Sequence, residues 1–250
     1  MGLTARRGET ALVTGAGRRI GRVLALETAR AGYDVLIHHH QSAGDAEAVA
    51  REVRALGGRA ATAAADLADA GALPGLIQAG AALGPLTLLV NCASLFLDDA
   101  VGTLEPALFD AHQAVNLRAP VLLAQAFAAA LPADRRGLVV NLIDQRVLKP
   151  DPSFFSYALS KAGLYWATTT LAQALAPAVR VNAIGPGPTL ASIHQAPGEF
   201  EAEAAASLLG RPVEPQALAQ ALRYLIDAQF VTGQMIAVDS GQHLSFGTQP

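Results

Sequence analysis

The chain has 250 residues, of which 52% are hydrophobic and 16% are charged, and its formal net charge is −3. This composition excludes a disordered chain, and the lack of long charge runs argues against a nucleic-acid or anionic-membrane surface. The single cysteine, Cys92, excludes an intramolecular disulfide, and no stretch approaches the roughly 20 apolar residues of a membrane helix. We expect one domain, residues 1–250, that is cytoplasmic and acts on a small-molecule substrate, with no nucleic-acid or membrane partner.

Short runs of residues that favour β-strands alternate with longer Ala- and Leu-rich runs along the chain. The predicted strands are 10–14, 34–39, 59–64, 86–91, 137–143, 179–184 and 234–238. The predicted helices between them are 19–31, 45–56, 69–82, 105–131, 153–176 and 215–228. This alternation predicts an α/β fold, a single doubly wound (Rossmann-type) domain with a seven-stranded parallel sheet, whose ligand site lies beyond the carboxyl ends of the strands.

A proline-rich stretch interrupts this rhythm after the sixth predicted strand. Residues 185–214 contain Pro186, Pro188, Pro197 and Pro212 and form the one long irregular segment that the sequence predicts. Because long loops over a ligand site commonly act as lids, we interpret this stretch as a substrate loop.

A glycine-rich turn follows the first predicted strand. Gly15, Gly17 and Gly21 lie in the run Thr14 to Gly21, directly before a Leu- and Ala-rich helix. Glycines at such a turn let the backbone approach a pyrophosphate, which the N–H groups and dipole of the helix start stabilise. The spacing is longer than that of the G-x-G-x-x-G form. The alternative that this glycine-rich turn binds no ligand therefore stays open at this point.

The end of the second strand indicates which dinucleotide would bind. An NAD site usually offers a carboxylate there to the ribose hydroxyl, but here the first one is Asp45. Arg18 in the glycine loop, with His40 and Ser42, favours the 2′-phosphate of NADP(H). His38, His39 and His40 alternate between the two faces of a strand and do not converge on one ion, so we predict no metal site.

Two residues four apart on a predicted helix suggest redox chemistry. Tyr157 and Lys161 lie one turn apart on the same face. An ammonium beside a phenol stabilises the phenolate, which predicts a lowered tyrosine pKa and proton transfer near neutrality. A Tyr-x-x-x-Lys pair is common by itself, and it gains weight from the glycine loop upstream.

Along nearly its whole length the chain resembles the short-chain dehydrogenase/reductase family. The matching pieces, in the family's order, are Thr14–Gly21, Asp66-Leu67, Asn91-Cys92-Ala93-Ser94, Asn116, Tyr157–Lys161, Arg180–Gly187 and Val231–Asp239. The resemblance implies that Asp66 and Asn91 border the adenosine, that Lys161 also holds the nicotinamide ribose, that Asn116 keeps a water in a proton relay, and that Pro186 to Thr189 line the nicotinamide. The predicted cofactor residues are thus Gly15, Arg18, Arg19, Ile20, His40, Ser42, Asp66, Leu67, Asn91, Ala93, Ser94, Tyr157, Lys161, Pro186, Gly187 and Thr189.

Two departures from the family pattern are similar to its pteridine reductase branch. Arg19 replaces the central glycine of the loop, and Asp144 replaces the serine thirteen residues before the tyrosine. Ser94-Leu95-Phe96 also matches the branch, in which the phenylalanine stacks on the pterin, whereas Gln41 stands where the branch has an arginine for the 2′-phosphate. The predicted catalytic residues are Asp144, Tyr157, Lys161 and Asn116, and the predicted substrate residues are Arg19, Ser94, Phe96, Asp144 and Tyr157.

The aspartate has a chemical interpretation. Reducing a ring C=N bond requires protonation of nitrogen, and a buried Asp with a raised pKa can supply that proton. Three plainer alternatives stay open: Phe96 as loop packing, Arg19 as a phosphate contact, and Asp144 as a structural partner of Arg146 or Arg19.

Three functions follow from these residues. The first is an NADPH-dependent reductase of a dihydropteridine or folate-like ring. The second is a short-chain carbonyl or 3-oxoacyl thioester reductase, which Asp144 disfavours because a carboxylate repels a developing alkoxide. The third, a dinucleotide-binding sensor without catalysis, is disfavoured by Asn116, Tyr157 and Lys161. The resemblance also implies a homotetramer joined through helices 105–131 and 153–176.

Overall fold

The computed structural model describes residues 6–191 and 197–245 and contains one seven-stranded sheet. The strands are β1 (Thr10–Val13), β2 (Asp34–His39), β3 (Ala60–Ala64), β4 (Leu86–Asn91), β5 (Gly137–Leu142), β6 (Val179–Pro186) and β7 (Met235–Val238). All neighbouring strands are parallel, in the order β3-β2-β1-β4-β5-β6-β7. The predicted α/β fold class is therefore confirmed.

Helices cover both faces of this sheet. Every residue of β1, β2, β4 and β5 is buried, as expected for parallel strands that are covered on both sides. The helices are α1 (Arg19–Arg30), α2 (Ala43–Ala55), α3 (Leu73–Leu83), α4 (Pro106–Gln113), α5 (Ala119–Ala130), α6 (Phe155–Leu175), α7 (Glu199–Ala205) and α8 (Pro215–Asp227). One large apolar cluster joins the sheet to α1, α2 and α8, and a second joins it to α3, α5 and α6. A small third cluster packs Leu164 of α6 with Ile143 and Ala183.

The long helix predicted over 105–131 is interrupted. Between α4 and α5 lies a π-helical turn, Ala114–Arg118, in which the Ala119 N–H bonds to the carbonyl of Ala114. Pro120 has no N–H to donate to the carbonyl four residues earlier, so the regular hydrogen-bond pattern cannot continue through this point. The turn contains Asn116, one of the predicted catalytic residues.

The predicted substrate loop, 185–214, is only partly irregular. It begins in the last residues of β6 and contains α7, which the sequence analysis did not predict; residues 192–196 lie outside the described part of the chain. Glu199 and Glu201 in the first turn of α7 favour a helix start electrostatically, a signal that the prolines around it obscured. In the described ranges, no helix is long and apolar enough to cross a membrane.

Candidate active site

A cleft of about 1030 Å³ opens at the carboxyl ends of the central strands. Most of the predicted site residues line it. A second cavity, of about 640 Å³, lies on the Asp34 side at the amino ends of the strands, among arginines such as Arg59 and Arg223 that form ion pairs with Asp34 and Glu27. The predicted residues that line the first cleft are Gly15, Arg18, Arg19, Ile20, His40, Asp66, Leu67, Ala93, Ser94, Phe96, Asp144, Tyr157, Lys161, Pro186, Gly187 and Thr189.

The glycine loop is packed too closely for side chains. Gly15 has a φ of +64°, and a Cβ added there would lie 2.8 Å from the Cα of Ala93. A Cβ on Gly21 would lie 2.1 Å from the carbonyl oxygen of Gly15. The loop leads into α1, whose start has no side-chain cap, so its first N–H groups suit an anion such as a pyrophosphate.

Arg19 occupies a backbone conformation that favours glycine. Its φ is +50°, which costs an L-residue roughly 1–2 kcal/mol. Its guanidinium donates hydrogen bonds to the carbonyls of Leu190 and Ala191, at 3.1 and 3.0 Å. Arg19 therefore connects the glycine loop to the described start of the predicted substrate loop.

The buried imidazole of His38 supports the glycine loop from below. Its Nδ1 accepts a 3.0 Å hydrogen bond from the Gly15 N–H, so the ring proton lies on Nε2, 3.1 Å from the carbonyl of Ala65. Burial lowers the pKa of His38 to about 4, which keeps the ring neutral. The histidine run in the sequence predicted no such contact for His38.

The end of β2 offers polar groups to the cleft. His40 is exposed and lines the cleft, and Arg18 at its rim forms an ion pair with Asp45. Ser42 lies behind the loop, with its Oγ 3.1 Å from where a Cβ of Gly17 would be. The cation at this rim fits a 2′-phosphate, although Asp45 competes for it.

Tyr157 and Asp144 are joined by a hydrogen bond inside the cleft. The Tyr157 phenol, in the first turn of α6, donates to Oδ2 of Asp144 over 2.8 Å. The other oxygen, Oδ1, accepts from the Arg146 N–H at 2.9 Å. Lys161, one turn further along α6, donates from Nζ to the carbonyl of Leu142 at 2.9 Å and lies 5.7 Å from the centre of the Tyr157 ring.

The pKa values differ from the simple expectation for a Tyr-Lys pair. Burial, together with the charge of Asp144 and the hydrogen bond to it, raises the pKa of Tyr157 well above 10, whereas the sequence predicted a lowered value. Burial also raises the pKa of Asp144 and lowers that of Lys161 to about 8. The pKa of Tyr157 is raised first by burial and then by the charge and hydrogen bond of Asp144, whereas the Lys161 ammonium donates to a backbone carbonyl and not to the phenol.

The alternative pairings of Asp144 are not observed. The guanidinium of Arg146 binds Asp151 and Ser153, and that of Arg19 binds the carbonyls at 190 and 191. The carboxyl of Asp144 therefore faces the cleft without an ion pair to either arginine. This is the environment in which a carboxyl pKa rises.

Asn116 and Asn91 make internal contacts behind the cleft wall. Asn116 accepts from the Leu95 N–H at 2.8 Å and donates to the Leu95 carbonyl at 2.9 Å and to Ser160 Oγ at 3.1 Å. Asn91 donates to Oδ1 of Asn141 at 2.8 Å. Their predicted roles in the proton relay and beside the adenosine stay predictions.

Phe96 belongs to an aromatic group. Its ring stacks on Phe154 with centroids 4.3 Å apart, and it meets the edge of Tyr157 at 4.6 Å. Phe154, which has a φ of +51°, was not predicted as a site residue. Nothing in the sequence around it indicates that its ring stacks on Phe96. Other lining residues that the sequence analysis missed are Leu95, Leu97, Gln145, Arg146, Leu190, Phe200 and Gln242.

Comparison with known proteins agrees with this geometry. Residues 9–202 match the family model described as short chain dehydrogenase. The chain belongs to the short chain dehydrogenase family. A 3-oxoacyl-[acyl-carrier-protein] reductase of Synechocystis sp. is 30% identical over 246 residues, covering 96% of this chain and 98% of that protein.

Two solved structures resemble the chain more strongly. The FolM alternative dihydrofolate reductase 1 of Brucella canis, complexed with NADP, is 48% identical, with a TM-score of 0.93 and coverage of 98% of this chain and 97% of that one. Its counterpart from Brucella suis, also with NADP, is 47% identical, with a TM-score of 0.92 and coverage of 99% and 98%. The cofactor bound to both is the one predicted for this chain.

Proposed function

We propose that this protein is an NADPH-dependent reductase of a dihydropteridine or folate-like ring, in the pteridine reductase-like branch of its family. The observation that carries the proposal is the 2.8 Å hydrogen bond between Tyr157 and Asp144, at the position where the family usually has serine. Support comes from the similarity to two proteins named alternative dihydrofolate reductase.

The cleft residues fit the cofactor. Glycines that exclude any side chain, an uncapped helix start and the Arg18 guanidinium at the rim suit a pyrophosphate and a 2′-phosphate. Pro186, Gly187, Thr189 and Lys161 all line the cleft, and we expect the first three to border the nicotinamide and Lys161 to hold its ribose. When bound, NADPH supplies the hydride.

The chain's own residues supply and hold the protons. Each hydride added to a ring carbon requires one proton on the adjacent nitrogen, so that C=N becomes CH–NH. Asp144, whose pKa is raised by burial, gives that proton as the neutral acid. Tyr157 keeps its own proton because its pKa is raised well above 10, and it holds the carboxyl in place through their hydrogen bond.

The remaining groups orient a flat ring. Phe96 presents an aromatic surface beside the phenol of Tyr157. Arg19 lies where it can bind a carbonyl-bearing ring edge, at the cost of its contacts to the substrate loop. Ser94, exposed at the cleft wall, offers a hydroxyl to the same ring.

A 3-oxoacyl thioester reductase is the second candidate. The 30% identity to the Synechocystis enzyme favours it. Asp144 replaces the serine that this reaction usually uses, and only its ionised form would repel an alkoxide forming beside Tyr157, so this candidate requires the same neutral acid as the first.

A homotetramer and a cytoplasmic location belong to the proposal. On α6, Trp166 is 71% exposed and Leu159 is 46% exposed, which is unusual for large apolar side chains and supports contact with another subunit. Both residues lie on the helix that the resemblance assigns to the subunit interface.

A substrate panel tests the proposal. Purified protein is given NADPH with 7,8-dihydrobiopterin, dihydrofolate or an acetoacetyl thioester, and the loss of NADPH absorbance is followed. We expect turnover of a pterin or folate that Tyr157→Phe reduces strongly. Turnover of the thioester alone would contradict the proposal and support the second candidate.

A further inference from the structure

Three buried polar side chains lie next to the cleft without lining it. Asp99, His112 and Ser156 have 7%, 0% and 0% exposure. They come from the segment after β4, from α4 and from the first turn of α6. Polar groups buried this deeply are stable only when their hydrogen bonds are satisfied, and here they satisfy one another.

Asp99 caps α6 from a distant part of the chain. Its carboxylate accepts the Ser156 N–H at 2.9 Å and the Ser156 hydroxyl, and its backbone carbonyl accepts the Phe155 N–H at 3.1 Å. The adjoining N-cap residue, Phe154, provides no side-chain cap. A carboxylate at a helix start is also favoured by the helix dipole.

His112 completes a hydrogen-bond chain with one direction. Its Nε2 accepts from the Leu97 N–H at 3.3 Å, so its proton is on Nδ1, which donates to Ser156 Oγ at 2.6 Å. The Ser156 hydroxyl is then free to donate to Asp99. Each bond in this hydrogen-bond chain has a fixed donor and a fixed acceptor. The loss of one bond therefore leaves a buried polar group without a partner.

Both ends of this chain adjoin the two rings of the site. Leu97 follows Phe96 directly, and Ser156 directly precedes Tyr157. Those two rings lie 4.6 Å apart, and the imidazole of His112 is 6.2 Å from the Tyr157 ring. The hydrogen-bond chain therefore connects the backbone that carries the predicted stacking ring to the helix that carries the phenol.

We propose that Asp99, His112 and Ser156 are positioning residues that fix the Phe96 ring relative to the Tyr157 phenol and so set the geometry of the slot for a flat substrate ring. The nature of that ring rests on the proposed function, whereas the positioning itself does not. The role predicts an effect on substrate affinity rather than on cofactor affinity, because the glycine loop is held separately by His38.

Two substitutions at His112 test the two ends of this hydrogen-bond chain one at a time. In His112→Asn the amide nitrogen is close to the position of Nδ1 and keeps a donor for Ser156, but nothing reaches Leu97. In His112→Gln the longer side chain places an oxygen near Nε2 and keeps the acceptor for Leu97. We expect His112→Asn to raise the KM for 7,8-dihydrobiopterin about tenfold with a small change in kcat, and His112→Gln to restore most of the KM.

The controls distinguish positioning from general destabilisation. The Kd for NADPH, from fluorescence titration, stays near the wild-type value in both variants. Equal effects of the two variants on KM, or a loss of kcat in proportion to a lowered Tm with KM unchanged, would overturn the proposal. If His112→Asn does not fold, Ser156→Ala removes the central hydroxyl and is expected to raise the KM in the same way.

An activity-independent measurement keeps this proposal separate from the proposed function. Amide hydrogen exchange by NMR should speed up selectively at Leu97 in His112→Asn and remain slow there in His112→Gln. Unchanged exchange at Leu97 in His112→Asn overturns the positioning role. Selective exchange in a protein that reduces no pterin or folate supports the positioning role and rejects only the proposed substrate.

Discussion

The phenol of Tyr157 donates a hydrogen bond to Oδ2 of Asp144 over 2.8 Å, so a buried phenol is paired with a buried carboxyl, the more acidic of the two groups. Burial raises the pKa of both groups, and the neighbouring carboxylate raises that of the phenol further. At neutral pH the phenol therefore keeps its proton. The carboxyl is the group that can exchange one with a substrate.

The rate of pterin reduction should fall as the pH rises. The reacting form is neutral Asp144, which is populated below its raised pKa and lost above it, so kcat declines toward tenfold per pH unit on the alkaline side. A kcat profile between about pH 5 and 9 checks this. A kcat that rises with pH would instead assign the carboxylate as a base.

Lys161 should make the protein's stability depend on alkaline pH. Its folded pKa is about 8, below the ordinary 10.5, so between these values the unfolded chain holds a proton that the folded chain has released. The contribution of Lys161 to the free energy of unfolding is therefore greatest above pH 10.5, and it is lost as the pH falls from 10.5 through about 8. The Tm of wild type minus that of Lys161→Met should therefore increase from pH 7 toward pH 10. A constant difference would contradict the lowered pKa.

Arg18 and Asp45 should have opposite effects on cofactor choice. The two side chains are 68% and 44% exposed and form an ion pair, which a 2′-phosphate must replace. Arg18→Ala should lower the ratio of kcat/KM for NADPH over NADH about tenfold, and Asp45→Asn should raise it. Steady-state kinetics with both cofactors measures the ratio. A ratio unchanged in both variants would remove Arg18 from the phosphate site.

The glycine loop should not tolerate one added methyl group. Gly21→Ala places a Cβ 2.1 Å from the Gly15 carbonyl, so the loop must distort and NADPH binding should weaken at least tenfold. Gly44→Ala is the matched control, because this glycine in α2 has no neighbour within 4 Å and should gain about 0.5–1 kcal/mol of helix stability. Fluorescence titration and Tm measure the two effects. Equal NADPH affinity in both variants would contradict the role of the loop.

The fold was predictable because buried parallel strands are short apolar runs separated by amphipathic helices. The predicted and observed strands agree to within two residues at each end, since Gly, Pro and polar residues mark their limits. The break in the 105–131 helix was less visible. Pro120 is tolerated inside an Ala-rich stretch, and only the structure shows that the chain absorbs it as a π-helical turn.

The order of motifs in the sequence predicted most of the residues that line the cleft, but not the direction of every side chain. Asn91 and Asn116 follow the family pattern, yet their side chains bond to Asn141 and Leu95 behind the wall, which no spacing reveals. The sequence shows a histidine at position 38 but not its tautomer, because the tautomer depends on Gly15, 23 positions away in the chain. Pairings of this kind depend on tertiary packing and are not encoded in any local period.

Replacement of Asp144 by serine, the residue usual in the family, shows whether this carboxyl is the proton donor. The kcat/KM of wild type, Asp144→Ser and Asp144→Asn is measured with 7,8-dihydrobiopterin and with an acetoacetyl thioester, with NADPH saturating. We predict that both variants lose about 10²-fold or more on the pterin, because the proton donor is gone, while Asp144→Ser gains activity on the thioester. Full pterin turnover by Asp144→Asn, which has no acidic proton to give, would show that Asp144 is not the proton donor.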